Sequence, residues 1–445
     1  MPQLYRMTVI GSGYLGITHA ACMAEMGHQV LALDIDKEKV ARLNAAELPI
    51  HEKDLGDLLE RGVASGRLRF TTSYEEAGAF GDVHFLCLGT PQRADGFAAD
   101  LSQLDAAVDS LAPHLVRECL VVGKSTVPVG TAERLAARIA QKAPVGAGAE
   151  LAWNPEFLRE GFAVADTLRP DRIVLGVRSG QAERILREVY APLDSNSPER
   201  EIPYVVADFA TAELVKSAAN AFLATKISYI NAMAELCESA GADVVPLAAA
   251  LGLDERIGGR FLRPGLGFGG GCLPKDIRAL WTRAEELGAG QALGFLREVD
   301  AINLRRRERV VELARELAGG TLDGRKVAVL GAAFKPDSDD IRDSPALAVA
   351  LALERQGAEV SVHDPVALDH VRKAYPTLNC AASAPTAAQD AQVVLLLTEW
   401  HQYARLRPDD LDAVVAERRI VDARHALDGD AWRAAGWAYR ALGRP

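Results

Sequence analysis

The sequence predicts an α/β fold: two doubly wound parallel-sheet domains joined by a long central helix and a helical region suited to dimerisation. Three observations predict it. Short apolar runs alternate with helical segments through the first half of the chain, one proline-free helical stretch fills the middle, and a second series of apolar runs follows. Strands that are apolar throughout, each followed by a helix, form parallel sheets covered on both faces.

Taken in order, 7–10 is a first buried strand, 14–26 a helix and 29–34 the second strand. Residues 83–88, 119–123 and 172–177 supply further buried strands. The stretch 209–240 is rich in Ala, Leu, Lys and Glu and runs much longer than an average helix. A helix of that length spans between domains or packs on a partner subunit, so a homodimer or larger homo-oligomer is expected. The second α/β block starts at 324–331 and continues through 359–364, 393–397 and 419–422. The expected domain boundaries are 1–207, 208–318 and 319–445.

At 445 residues the chain has room for two or three domains with sizeable cores. A net charge of −11 argues against non-specific nucleic-acid binding, but not against an anionic small ligand, because pockets are local. No apolar run reaches membrane-spanning length, and the first strand begins so early that no signal peptide fits before it. The six cysteines, Cys22, Cys87, Cys119, Cys237, Cys272 and Cys380, form neither a CxxC pair nor a zinc spacing. Scattered thiols suit a reducing compartment. The expectation is a cytoplasmic protein with no metal, no membrane and no nucleic-acid partner.

Gly11-Ser12-Gly13-Tyr14-Leu15-Gly16 matches GxGxxG where a strand ends and a helix opens. Asp34 ends the second strand 18 residues after Gly16, where a carboxylate binds ribose hydroxyls. The glycines permit a tight turn and close approach of a pyrophosphate to the helix N-terminus. Asp34 would repel a 2′-phosphate, so the first domain is expected to be Rossmann-like and to bind NAD rather than NADP.

Gly267-Phe268-Gly269-Gly270-Gly271-Cys272-Leu273-Pro274-Lys275-Asp276 is expected to deliver one cysteine on a flexible glycine run, with Pro274 at the first helical position. A thiol just before a helix N-terminus faces amide donors and the positive end of the dipole, which favours the reactive thiolate.

Four further segments accompany this loop: Lys124-Ser125-Thr126-Val127-Pro128-Val129-Gly130-Thr131, Asn154-Pro155-Glu156-Phe157-Leu158-Arg159-Glu160-Gly161, Glu213-Leu214-Val215-Lys216-Ser217-Ala218-Ala219-Asn220, and Phe334-Lys335-Pro336-Asp337 running on to Ser344. In this order, over essentially the whole chain, they resemble the UDP-glucose/GDP-mannose dehydrogenase family. The resemblance implies NAD-dependent oxidation of a nucleotide sugar's C6 hydroxyl to a carboxylate, with Cys272 holding the aldehyde as a thiohemiacetal and then as a thioester.

It further implies that Lys216 and Asn220, one helical turn apart, stabilise oxyanions, and that Asp276 orders a water or acts as a base near the lysine. Thr126 and Glu156 would position water, with Glu156 the base for thioester hydrolysis. Phe157, Leu158, Arg159 and Glu160 would touch the substrate, Glu160 also lying near the nicotinamide. Phe261, Leu262, Arg263, Gly265, Gly267, Phe268 and Gly269 would lie along the sugar and uridine, the glycines letting the backbone rest against the sugar. Arg256 would reach a partner subunit's substrate. Phe334, Lys335 and Arg424 would belong to a C-terminal UDP-sugar-binding domain, and Lys39, Thr90, Lys275 and Arg342 to the cofactor site.

The chain departs from the family pattern in three places. His51-Glu52-Lys53-Asp54-Leu55 stands where the family often has an aromatic residue and Glu-Pro-Gly-Leu. Gly271 replaces a frequent serine, which is expected to loosen the loop, and Asp422-Ala423-Arg424 replaces Asp-Gly-Arg. Within the family, Arg256-Ile257-Gly258 before Phe261-Leu262 favours UDP-glucose as the substrate and UDP-glucuronate as the product. Arg263-Pro264-Gly265 with Cys272-Leu273-Pro274-Lys275-Asp276 fits the GDP-mannose branch almost as well. The UDP-N-acetylmannosamine branch usually has His before the cysteine. A nucleotide-binding protein without turnover is a third reading, opposed by Cys272, Lys216, Asn220, Asp276 and Glu156 together.

Overall fold

In the computed structural model, which describes residues 3–196 and 201–444, the chain divides into two compact units, Met1–Ala219 and Asn220–Pro445. The first unit carries β1 (Arg6–Ile10), β2 (Gln29–Leu33), β3 (Leu68–Thr71), β4 (Val83–Leu86), β5 (Cys119–Gly123), β6 (Ala149–Trp153), β7 (Ile173–Gly176) and β8 (Tyr204–Ala207). They form one sheet in the order β3-β2-β1-β4-β5-β6-β7-β8. Because the order reverses at β1 and β4, the loops leaving these two strands flank a crevice at their carboxyl ends.

The two-residue period of the strands explains the layering. Met7 and Val9 pack with Val30, Val83 and Phe85 on one face, while Ile10 packs with Leu33 and Leu86 on the other. The sheet is not wholly parallel, as the strand pattern led one to expect: β6 meets β7 antiparallel through Trp153 and Gly176. The connection between them carries Pro155 and only a six-residue helix, Ala163–Leu168, so the chain turns back at the same end of the sheet instead of crossing over it.

The second unit repeats the scheme with β9 (Lys326–Leu330), β10 (Glu359–His363), β11 (Asn379–Cys380), β12 (Val393–Leu396), β13 (Arg419–Asp422) and β14 (Ala438–Ala441). Its order is β11-β10-β9-β12-β13-β14, parallel throughout. Val327 and Val329 face one apolar layer, Ala328 and Leu330 the other. The long helix is Phe209–Ala240, as the sequence predicts. Among the described residues no helix is long and apolar enough to cross a membrane.

Candidate active site

The loop after β1 gives its three glycines three different tasks. Gly11 has φ +95°, and a Cβ there would stand 2.8 Å from the Cys87 carbonyl oxygen. A Cβ on Gly16 would fall 1.8 Å from the Gly11 carbonyl, so only glycine lets the helix seat against the turn. Gly13, the N-cap of helix Tyr14–Glu25, has nothing within 4 Å of a Cβ position. Its open face, beside unpaired amides of the first helical turn, fits a pyrophosphate. Leu15 turns inward onto the apolar layer.

Asp34 follows β2 directly. Its carboxylate accepts from the Ser12 amide at 2.9 Å, the Asp36 amide at 3.0 Å and Lys39 Nζ at 3.0 Å. Burial opposes its charge, but these donors together outweigh burial and hold the carboxyl below its ordinary range. The anion is thus fixed in place before any ribose arrives, and Lys39 serves it directly. Thr90 donates from Oγ1 to the Thr126 carbonyl at 2.7 Å, joining the loops after β4 and β5.

Also in the first unit, Glu156 and Lys216 form an ion pair at 3.0 Å, their side chains 14% and 5% exposed. Glu156 accepts from the Leu158 amide at 2.6 Å, which curls the chain back over the carboxylate. Phe157 lies under both the Arg172 guanidinium, 3.9 Å from its ring centroid, and the Lys216 ammonium at 5.7 Å. Arg159 is turned to Asp166, which it binds through its side chain at 2.6 and 2.9 Å. Glu160 precedes Gly161, whose amide is captured by Glu52 at 2.6 Å.

In the second unit Cys272 is the N-cap of helix Leu273–Glu286. Pro274 is therefore the second helical residue, one place later than predicted. Cys272 is exposed, whereas Cys22, Cys87, Cys119 and Cys237 are buried and Cys380 is half-buried. Asp276, buried in the first turn, accepts from Asn220 Nδ2 at 2.6 Å and pairs with Lys275 Nζ at 2.6 Å. One carboxylate thereby orients both the Asn220 amide and the Lys275 ammonium.

The glycine run before Cys272, expected to be flexible, is closely packed by its own chain. A Cβ on Gly267 would lie 2.3 Å from Asn303 Oδ1, on Gly269 2.3 Å from the Asp343 carbonyl, and on Gly270 2.8 Å from the Phe334 ring. Gly265 likewise meets the Ala423 carbonyl at 2.8 Å. On the side where a side chain would stand, these glycines are packed against the protein itself. Asn303 clamps Phe268 from both sides, accepting its amide at 2.7 Å and donating to its carbonyl at 2.9 Å. At Gly271 the exposed end of the Arg342 side chain stands where a Cβ would be, its Cζ 2.4 Å away, while bonding Asp340 at 2.7 Å.

Arg424 has a structural task in the same clamp. It donates to the Leu397 carbonyl at 2.8 Å and the Gly267 carbonyl at 2.9 Å, and sits 3.4 Å from Glu399. Lys335 stands 5.5 Å from the Phe334 ring centroid. Leu262 is buried and Arg263 exposed. Phe261 holds φ +64°, a region bulky residues avoid and one that collects at functional sites. Arg256 is bound to Asp254 at 2.6 Å with its side chain 89% exposed. Among the described residues no group of three or more His, Cys, Asp or Glu side chains is placed to hold a metal ion.

Three consecutive segments match the models of one family: residues 5–194 its NAD binding domain, 210–305 its central domain and 328–429 its UDP binding domain. The chain belongs to the UDP-glucose/GDP-mannose dehydrogenase family. The UDP-glucose 6-dehydrogenase of Rhizobium meliloti is 41% identical, with 99% of this chain and 100% of that protein covered. The enzyme of the same name from Pseudomonas aeruginosa is 42% identical over 99% of this chain and 98% of its own length. The solved UDP-glucose dehydrogenase of Pyrobaculum islandicum superimposes with a TM-score of 0.88 at 37% identity, covering 97% of this chain and 98% of that one. This dehydrogenase family uses NAD, and the amides beside Gly13 as donors with the Asp34 carboxylate as acceptor fit that cofactor.

Two carboxylates that support the dehydrogenase site have no role assigned to them from the sequence. Glu52 accepts the Gly161 amide and, at 2.9 Å, the Ala163 amide, and it also bonds the Tyr14 hydroxyl. It ties the dinucleotide helix to the 154–161 loop. Glu213 accepts the Gly130 amide at 2.7 Å and the Ala132 amide at 2.6 Å, capping helix Thr131–Lys142 and anchoring the start of the helix that bears Lys216. Both stand in segments singled out in the sequence, 51–55 and 213–220, but the amides they bind lie far along the chain and only folding selects them.

Proposed function

We propose that the protein oxidises the C6 hydroxyl of UDP-glucose to the carboxylate of UDP-glucuronate. The observation that carries this reading is the exposed Cys272 at a helix N-cap, in a chain whose relatives are UDP-glucose 6-dehydrogenases over their full length. NAD, when bound, accepts the hydride in each of two oxidations. Cys272 Sγ adds to the aldehyde left by the first oxidation, and the second converts the thiohemiacetal to a thioester. In the hydrolysis, water forms a C–O bond, the C–S bond breaks, and its electron pair leaves on Sγ. Glu156 takes the water's proton.

Lys216 and Asn220 supply donors for oxygen atoms that gain charge in these steps. Asp276 fixes the Asn220 amide, and Thr126 assists Glu156 with water. The domain division at 1–207, 208–318 and 319–445 goes with this reading, the last segment holding UDP. On helix Phe209–Ala240, Phe222, Tyr229 and Leu236 are 67%, 50% and 60% exposed at seven-residue spacing. That apolar stripe supports a homodimer, in which Arg256 serves the partner subunit. Six cysteines held in no disulfide among the described residues suit the cytoplasm.

Incubation of pure protein with NAD and either UDP-glucose or GDP-mannose tests the reading. Two NADH per UDP-glucose is the expected yield. NADH from GDP-mannose alone overturns the substrate, and acid production by Cys272→Ser removes the thiol from the mechanism. Light scattering from an active monomer overturns the dimer.

A further inference from the structure

Lys124 follows β5 immediately and is buried, 7% exposed. Its Nζ donates to Asn154 Oδ1 at 2.9 Å, to the Asn154 carbonyl at 3.4 Å and to the Tyr190 hydroxyl at 3.3 Å. Tyr190 donates to the same Asn154 Oδ1 at 2.5 Å, and Asn154 Nδ2 donates to the Val174 carbonyl at 2.8 Å. Among the described residues no carboxylate pairs with Lys124. Burial pushes its ammonium down to about 8. A buried cation without a counter-ion is expensive, and an apolar side chain of similar length would fill the space without that cost. Packing alone does not call for a lysine here.

What the lysine does hold is specific. By binding both the side-chain and the main-chain oxygen of Asn154, one ammonium fixes the rotamer and the peptide plane that enter Pro155. Proline restricts the next φ, so Glu156 starts from a rigid backbone. Thr126 lies two residues beyond Lys124 on the other strand end. We propose that Lys124 is a positioning residue for thioester hydrolysis: its bonds to Asn154 lock the ends of β5 and β6 so that Thr126 and Glu156 hold the attacking water. This rests on the reading of Cys272 and Glu156 given above.

The full-length protein with Lys124→Met or Tyr190→Phe tests it, using UDP-glucose and NAD. Stopped-flow absorbance follows NADH, and the mass of the denatured protein reports acyl adduct on Cys272. Expected for Lys124→Met is a first-turnover burst of two NADH per site, then a steady-state rate reduced on the order of 10–100-fold, the scale set by misplacing a reacting group. The Michaelis constant for UDP-glucose falls together with kcat, so that kcat/KM stays unchanged, and adduct accumulates on Cys272. Tyr190→Phe, which removes one hydroxyl, shows the same pattern with a severalfold effect. It decides the matter if Lys124→Met does not fold. An unchanged kcat, or a lowered kcat without burst and adduct, overturns the proposal. Failure of the underlying reading looks different, because wild-type protein then yields no NADH from UDP-glucose, which overturns both.

Discussion

The chain has two glycine-rich loops, and they use glycine in opposite ways. Around Gly11–Gly16 one glycine, Gly13, looks onto open space at a helix N-terminus. Around Gly265–Gly271 the glycines are filled in by Ala423, Asn303, Asp343, Phe334 and Arg342. The first loop keeps backbone bare for a ligand. The second keeps it bare so that a cysteine can be set rigidly by the protein around it. Glycine content therefore says that something comes close, not what.

Alanine at Gly267 should have the largest effect. It combines φ +94° with a Cβ 2.3 Å from Asn303 Oδ1, and a loss of about 3 kcal/mol is expected. Thermal unfolding of Gly267→Ala at the wild-type temperature would break the contrast. Gly13→Ala should instead leave the melting temperature within the reach of about 0.5 kcal/mol, while the Michaelis constant for NAD rises about tenfold, equivalent to about 1.4 kcal/mol of binding. A lowered melting temperature with unchanged NAD kinetics would assign Gly13 to packing.

Gly271→Ser sharpens the comparison, because its neighbour is the movable end of an exposed side chain rather than backbone. The expected loss is below about 1 kcal/mol, since Arg342 can shift while keeping Asp340. A collapse as large as that of Gly267→Ala would mean the guanidinium is fixed. Smallest is Asp54→Gly. Asp54 sits at φ +63° without being glycine, so relief of that conformation should raise stability by about 0.5 kcal/mol. A lowered unfolding midpoint would show that the aspartate side chain contributes more than its backbone strain costs.

The buried strands and the long helix were legible because their apolar pattern is continuous. The strands missed are β3, β8, β11 and β14, which are the four sheet edges, and β6, which borders the antiparallel pair. Edge strands are half-solvated and mix polar residues into the run, as in Leu68-Arg69-Phe70-Thr71 and Ala438-Tyr439-Arg440-Ala441. In the site, the dinucleotide fingerprint and Asp34 could be read because the turn, helix and strand are contiguous in sequence. The clamp of Asn303 and Arg424 on Phe268 and Gly267 could not, since those partners lie tens of residues away and only folding selects them.

Five of the six thiols are shielded to some degree, and Cys380, the half-buried one, is pushed up by burial. Cys272 alone stands in solvent at a helix start. A stoichiometric alkylating reagent would thus label one position per chain well ahead of the rest. Counting that label against total protein measures what fraction of a preparation carries Cys272 as a reduced, accessible thiol, independently of any substrate or turnover assay.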